Sequence, residues 1–168
     1  MSPHELGPEA LAPGAPLPPG YRHFSHTRAL ENAKCDAAAH ALLTWEVQRR
    51  AGLRVTASES PLRLGTTVEM RLGPGPASLR IPCRVVEVIG DVDGEGARVG
   101  FASATLPGHP ESGVESFVLD RRPDGRVTLT ITAVSRPATR LARLAAPVSR
   151  AVQAVMTRRY LAALDDVR

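Results

Sequence analysis

The stretch Asp124-Gly125-Arg126-Val127-Thr128-Leu129-Thr130-Ile131-Thr132-Ala133-Val134-Ser135-Arg136-Pro137 carries the decisive pattern. Asp-Gly is a strong hairpin signal, because both residues tolerate the positive φ that tight hairpin turns require. After it, Val127, Leu129, Ile131 and Ala133 alternate with Thr128, Thr130 and Thr132. A period of two with one apolar row describes a strand that buries one face. The same period recurs upstream. Leu53, Val55 and Ala57 alternate with polar residues, as do Val68, Met70 and Leu72. Residues 79–89 are β-branched and apolar, and Val99, Phe101 and Ser103 form a further set, followed by residues 114–119. Gly73-Pro74-Gly75-Pro76 and Asp93-Gly94-Glu95-Gly96 supply turns between them.

Outward from these strands the period changes. Residues 21–30 read as a short edge strand. Ala33, Ala37, Ala41, Leu42, Trp45 and Val47 recur at three- and four-residue steps, which predicts one helix over residues 31–51 with Gly52 as its stop. Downstream, Pro137 fits a first helical position, and a helix of about seven turns runs to the C-terminus. Leu141, Leu144, Val148, Val152 and Val155 fall on its apolar side, opposite Arg136, Arg140, Arg143, Arg150 and Arg158. Pro147 kinks it or restarts it as a first-turn residue. The order strand, helix, strands, long helix fits an α+β class: a curved, mostly antiparallel sheet of about six or seven strands gripping the C-terminal helix, with a helix near the N-terminus. This is the helix-grip layout. The alternative is a closed barrel with the last helix packed outside.

The 168 residues suit one domain. A 43% hydrophobic and 23% charged composition is ordinary for a globular chain. Residues 1–19 stand apart, with Pro3, Pro8, Pro13, Pro16, Pro18 and Pro19 set among glycines, and read as a disordered tail before a domain at 20–168. No run approaches a membrane span, and no signal peptide opens the chain. Cys35 and Cys83 are too few for a disulfide framework, so a reducing cytoplasm is the expected location. The net charge is +4, and Lys34 is the single lysine among 21 basic residues. Abundant Arg, Ala, Gly and Pro match the codon bias of a GC-rich, bacterial-like genome; selected anion binding is the alternative. Six aromatics with no interleaved basic stretch argue against single-strand nucleic-acid binding by stacking, and no nucleic acid is expected. The Arg face of the last helix is the feature that would suit a phosphate backbone or an anionic membrane surface.

One segment is hard to explain by packing alone: Ala104-Thr105-Leu106-Pro107-Gly108-His109-Pro110-Glu111-Ser112-Gly113-Val114-Glu115. Here the chain resembles an uncharacterised family, the domain of unknown function numbered nineteen-ninety (UPF zero-five-four-eight). That family shows a Gly-Thr-Leu-Pro-Gly-His-Pro-Glu-Ser-Gly-Glu-Glu type of motif. Ala41-Leu42-Leu43-Thr44-Trp45 with Ala51-Gly52-Leu53 resembles its first helix, and Pro82-Cys83-Arg84-Val85-Val86 its central strand. Ala133-Val134-Ser135-Arg136-Pro137 and Arg143-Leu144-Ala145-Ala146-Pro147 resemble its approach to the last helix, and Arg158-Arg159-Tyr160-Leu161 its end. The resemblance spans roughly residues 21–164. It implies a fold similar to the START and Bet v-like helix-grip superfamily and no established activity. Ser103-Ala104 replaces the family's Tyr-Gly, and Val114 replaces one of its paired acids, so that acid's role does not carry over.

His109, Glu111 and Glu115 read either as acid–base or ligand-contacting groups, or as members of a rigid loop whose carboxylates hold backbone N–H groups. Their spacing matches no established metal motif, and neither a metal nor a cofactor is expected. Glu115 shares its strand parity with Phe117 and Leu119, which places it inward. A carboxylate there needs a cation or several donors, and a direct contact with Arg136 or His109 is expected. Arg136 reads as an ion-pair partner of Glu111 or Glu115, or as a contact to an acidic ligand. Arg159 falls on the apolar side if the helix is continuous, and is exposed if Pro147 shifts the phase. Trp45 is core or a cavity wall, and Cys83 a small buried hydrophobe.

These residues lead to one expected function, the binding of a small, largely apolar ligand between sheet and C-terminal helix. His109, Glu111, Glu115, Arg136, Trp45 and Arg159 are its candidate contacts. Two alternatives stand beside it: an enzyme acting on that ligand with His109 as acid/base and Glu115 orienting it, and an interaction module using the Arg-rich helix face.

Overall fold

The computed structural model describes residues 6–31, 34–90, 98–139, 146–165 and 167. Seven strands form one antiparallel sheet: β1 (Arg22–Leu30), β2 (Arg54–Ala57), β3 (Thr67–Leu72), β4 (Leu79–Ile89), β5 (Arg98–Thr105), β6 (Glu111–Arg121) and β7 (Val127–Pro137). Their spatial order is β1-β7-β6-β5-β4-β3-β2. The Asp-Gly hairpin therefore joins the neighbours β6 and β7, and β1 and β2 are the edges. Helices α1 (Cys35–Leu43), α2 (Glu46–Arg50) and α3 (Ala146–Ala162) accompany the sheet among the described residues. This is the expected α+β helix-grip architecture.

The sheet bends where its sequence lets it. A bulge between Val85 and Glu87 adds one residue to β4, and bulges increase local twist. Gly100 and Gly113 sit inside strands at close backbone approaches. A Cβ on Gly113 would lie 2.0 Å from the Val134 carbonyl oxygen, and one on Gly100 2.2 Å from that of Phe117.

On the concave face, Trp45, Phe101, Phe117 and Tyr160 form a continuous ring stack. Trp45 meets Phe101 edge-on at 5.4 Å, Phe101 stacks on Phe117 at 5.4 Å, and Phe117 meets Tyr160 edge-on at 5.2 Å. Leu42, Leu43, Leu119, Leu129, Ile131 and Leu164 pack around it, all fully buried.

Three expectations change. The single helix over residues 31–51 is two helices, broken at Trp45, whose φ of 69° is left-handed. The Ala-rich run favours helix throughout, but packing overrides propensity. The break turns the Trp45 ring inward, where Nε1 donates to the Glu59 carbonyl at 3.2 Å.

The helix expected from Pro137 starts later, because Pro137 ends β7 and pairs with Glu111. Pro147 occupies the first turn of α3, where its missing N–H costs nothing. Arg140, Leu141, Arg143 and Leu144 lie outside the described residues. Met156 and Tyr160, with Leu164 just past the helix end, form the buried row of α3, whereas Val152 and Val155 are 37% and 45% exposed. The helical phase cannot be carried across Pro147.

Residues 6–19, expected as part of a disordered tail, instead lie against the convex face. A 3-10 turn at Pro8–Leu11 buries Ala10 with Ala102, Val114 and Val134, and Leu6, Leu11, Leu17 and Tyr21 pack around them. A run of prolines disfavours regular helix and ladder but not docking onto a sheet.

Candidate functional site

The Pro-Gly-His-Pro-Glu loop is built by its own chemistry. Pro107 fixes φ, and Gly108 takes a φ of +96°, so Leu106-Pro107-Gly108-His109 closes as a turn with the His109 N–H on the Leu106 carbonyl at 3.1 Å. The Leu106 N–H is anchored on the Pro82 carbonyl at 2.9 Å, and the Ala138 N–H on the Pro110 carbonyl at 3.0 Å. The loop is thereby pinned to β4 and to the end of β7.

It forms one end of a cavity of about 540 Å³ between the concave face and α3. Leu72, Ile81, Cys83, Ala133, Val152 and Met156 supply much of its apolar wall. His109, Glu111, Ser135, Glu115 and Tyr160 bring polar atoms to it. The exposed Leu79 and Val152 also line it, which puts them at its mouth.

Each polar group has a defined setting. His109 Nδ1 accepts the Glu111 backbone N–H at 2.9 Å. That bond occupies one ring nitrogen, so the neutral ring carries its proton on Nε2. Burial pushes this imidazole down to about 4, so it is neutral at physiological pH. Ser135 Oγ donates to Glu111 Oε2.

Glu115 stands in register between Ser103 of β5 and Ala133 of β7. Among the described residues it has no hydrogen-bond or ion-pair partner, and the accessible part of its side chain faces the cavity. Burial, with the Glu111 charge second, pushes its carboxyl up to about 7. Tyr160 is only 7% exposed, and its hydroxyl likewise has no partner among the described residues. Burial first and Glu115 second raise its phenol well above its ordinary value. Burial pushes the Cys83 thiol up to about 12, which leaves it un-ionised and a poor nucleophile.

His109, Glu111 and Glu115 are thus brought together at the cavity. The other three candidates are not. Arg136 points to the convex face, where its guanidinium lies 4.8 Å from the Tyr21 ring centroid. Strand parity explains this, since Ser135 faces the cavity and its neighbour must face away. The expected Glu115–Arg136 contact is therefore absent, and no direct Glu115–His109 contact replaces it among the described residues. Trp45 is 1% exposed in the core and does not line the cavity. Arg159 is exposed and reaches the Ala51 carbonyl at 3.5 Å.

Ser135 and Tyr160 were not among the expected contacts. Ser135 continues the inward row Leu129, Ile131, Ala133 by two residues, a signal legible once β7 is extended to Pro137. Tyr160 follows from the true phase of α3. Among the described residues no group of three or more metal-ligating side chains converges, and no helix is long and apolar enough to cross a membrane.

A family model described as Domain of unknown function (DUF1990) matches residues 6–163. A Deinococcus radiodurans protein described as a UPF0548 protein is 38% identical over 77 residues, or 46% of this chain and 37% of that relative. The match thus spans little more than a third of the relative's length. Among solved structures, a hypothetical protein from Helicobacter pylori superposes with a TM-score of 0.70 at 9% identity, covering 100% of this chain and 98% of that one. Ginseng major latex-like protein 151 from Panax ginseng superposes with a TM-score of 0.56 at 15% identity, covering 86% and 98%. At such identities the likeness is one of fold.

Proposed function

The chain belongs to the DUF1990 family, and we propose that this member binds a small, largely apolar molecule in the cavity between its sheet and α3. One observation carries the reading: a cavity of about 540 Å³ walled by apolar side chains, with a few polar groups collected at one end. Ligand sites commonly measure ~300–1,000 Å³ and combine an apolar wall with a few orienting polar atoms. His109 Nε2–H would donate to a ligand oxygen, and Glu115 and Tyr160 offer further unsatisfied polar atoms. His109 is oriented by a main-chain N–H and not by a carboxylate. That favours a fixed hydrogen-bond donor over a general base, and so favours binding over catalysis.

The test is titration of the full chain with N-phenylnaphthylamine, a neutral fluorophore that brightens in apolar surroundings. Saturable one-to-one binding is expected. Ala133→Phe, which fills the cavity from β7, should abolish it while leaving the far-UV circular dichroism intact. Absence of binding to the native chain, or equal binding to the filled variant, would overturn the proposal.

A further inference from the structure

We infer that the cavity selects amphiphilic cations, molecules with an apolar body and one protonated amine, whose ammonium group pairs with Glu115. The inference rests on the binding proposal above and adds the charge of the ligand to it.

The argument starts from an imbalance in the lining. Two carboxyl groups, Glu111 and Glu115, reach the cavity, and among its described lining residues there is no Arg or Lys. The groups that face Glu115 from the surrounding elements are Cys83 on β4, Ser103 on β5, Ala133 on β7, His109 in the loop and Tyr160 on α3. None brings a positive charge, because His109 is neutral at its depressed pKa. Glu111 has a partner in the Ser135 hydroxyl, whereas Glu115 has none among the described residues. Beside it, the almost fully buried Tyr160 hydroxyl is also unpartnered and opens onto the cavity. An acceptor without a donor in an apolar enclosure is the complement of a charged donor.

Ligand classes then separate by charge. A fatty carboxylate or a phosphate ester would meet two acidic groups and no cation. A neutral alcohol would gain an ordinary hydrogen bond. An ammonium ion would gain a charge-assisted bond where water does not screen it, and the raised pKa of Glu115 would relax toward its ordinary value.

The experiment uses three ten-carbon probes of matched length: decylamine, decanol and decanoate. Each competes with N-phenylnaphthylamine on the full chain at about pH 8, where decylamine is protonated and Glu115 is mostly ionised. Decylamine should displace the fluorophore at a concentration about tenfold lower than decanol, since a charged hydrogen bond exceeds a neutral one by about that much. Decanoate should be the weakest. The preference should shrink on moving to about pH 6, as Glu115 takes up its proton. Glu115→Gln should reduce decylamine to the level of decanol, whereas Glu111→Gln should keep most of the preference. Decylamine no better than decanol on the native chain would overturn the inference and leave the binding proposal standing. A preference that survives in folded Glu115→Gln would also overturn it. If the fluorophore itself fails to bind, the binding proposal falls and takes the inference with it.

Discussion

Glu115 and His109 place opposite demands on pH. Burial raises the Glu115 carboxyl from 4.5 to about 7, so the folded state holds a proton that the unfolded chain has released. Stability is then fully present below the unfolded value and is lost as pH rises through the folded one. Burial lowers the His109 imidazole from 6.5 to about 4, so its contribution is present above the unfolded value and is lost as pH falls through the folded one. Each shift amounts to roughly 3 kcal/mol at full development. Urea denaturation across about pH 4 to 8 should show Glu115→Gln gaining on the native chain at the alkaline end, by about 2–3 kcal/mol. His109→Gln should gain at the acid end by a similar amount. Parallel stability curves for the native chain and Glu115→Gln would contradict the buried, unpaired carboxyl described above. The inward placement of Glu115 was legible from the sequence, because Phe117 and Leu119 fix the parity. Its lack of a cation was not, because β7 continues past Ser135 and so turns Arg136 to the other face.

The strands of this chain announce themselves by alternation, and the sheet follows the sequence closely. The helices do not, since the break at Trp45 is set by what its side chain packs against, and the buried positions of α3 are not the ones the sequence pattern picks out. Helix α3 gives the clearest test. Met156 and Val152 are one turn apart and both line the cavity, but Met156 is buried in its wall whereas Val152 is exposed at its mouth. Met156→Asp should cost more than about 3 kcal/mol by burying an unpaired charge, and Val152→Asp less than about 1 kcal/mol. Equal losses in thermal denaturation would restore the phase read from the sequence alone. The N-terminal segment is a second element whose role is hidden by its composition. Removing residues 1–19 uncovers Ala102, Val114 and Val134 on the convex face, and should destabilise the domain by about 2 kcal/mol on area grounds. Val114 marks the dependence: a carboxylate at this position, as in the family motif, would sit under the Ala10 turn instead of facing the cavity.

At the scale of the whole molecule, an empty space of about 540 Å³ beside a close-packed aromatic core divides the sheet into two regimes. Part of the concave face is covered by packed side chains, and part opens onto the cavity. Filling it artificially with Ala133→Phe should raise the melting temperature of the ligand-free chain while removing fluorophore binding, the usual opposition between stability and function. A melting temperature that falls would show that the wall around Ala133 is already tightly packed.

The ring stack that separates these regimes has a further use. Trp45 is the chain's single tryptophan, and the ring contacts through Phe101, Phe117 and Tyr160 connect it to the cavity. Dense interiors transmit displacement, so a guest that presses on Tyr160 perturbs the indole three rings away. The domain therefore contains its own unlabelled optical gauge of occupancy. Decylamine should shift or quench Trp45 emission along the same isotherm that fluorophore displacement follows, and Tyr160→Leu should uncouple the two signals.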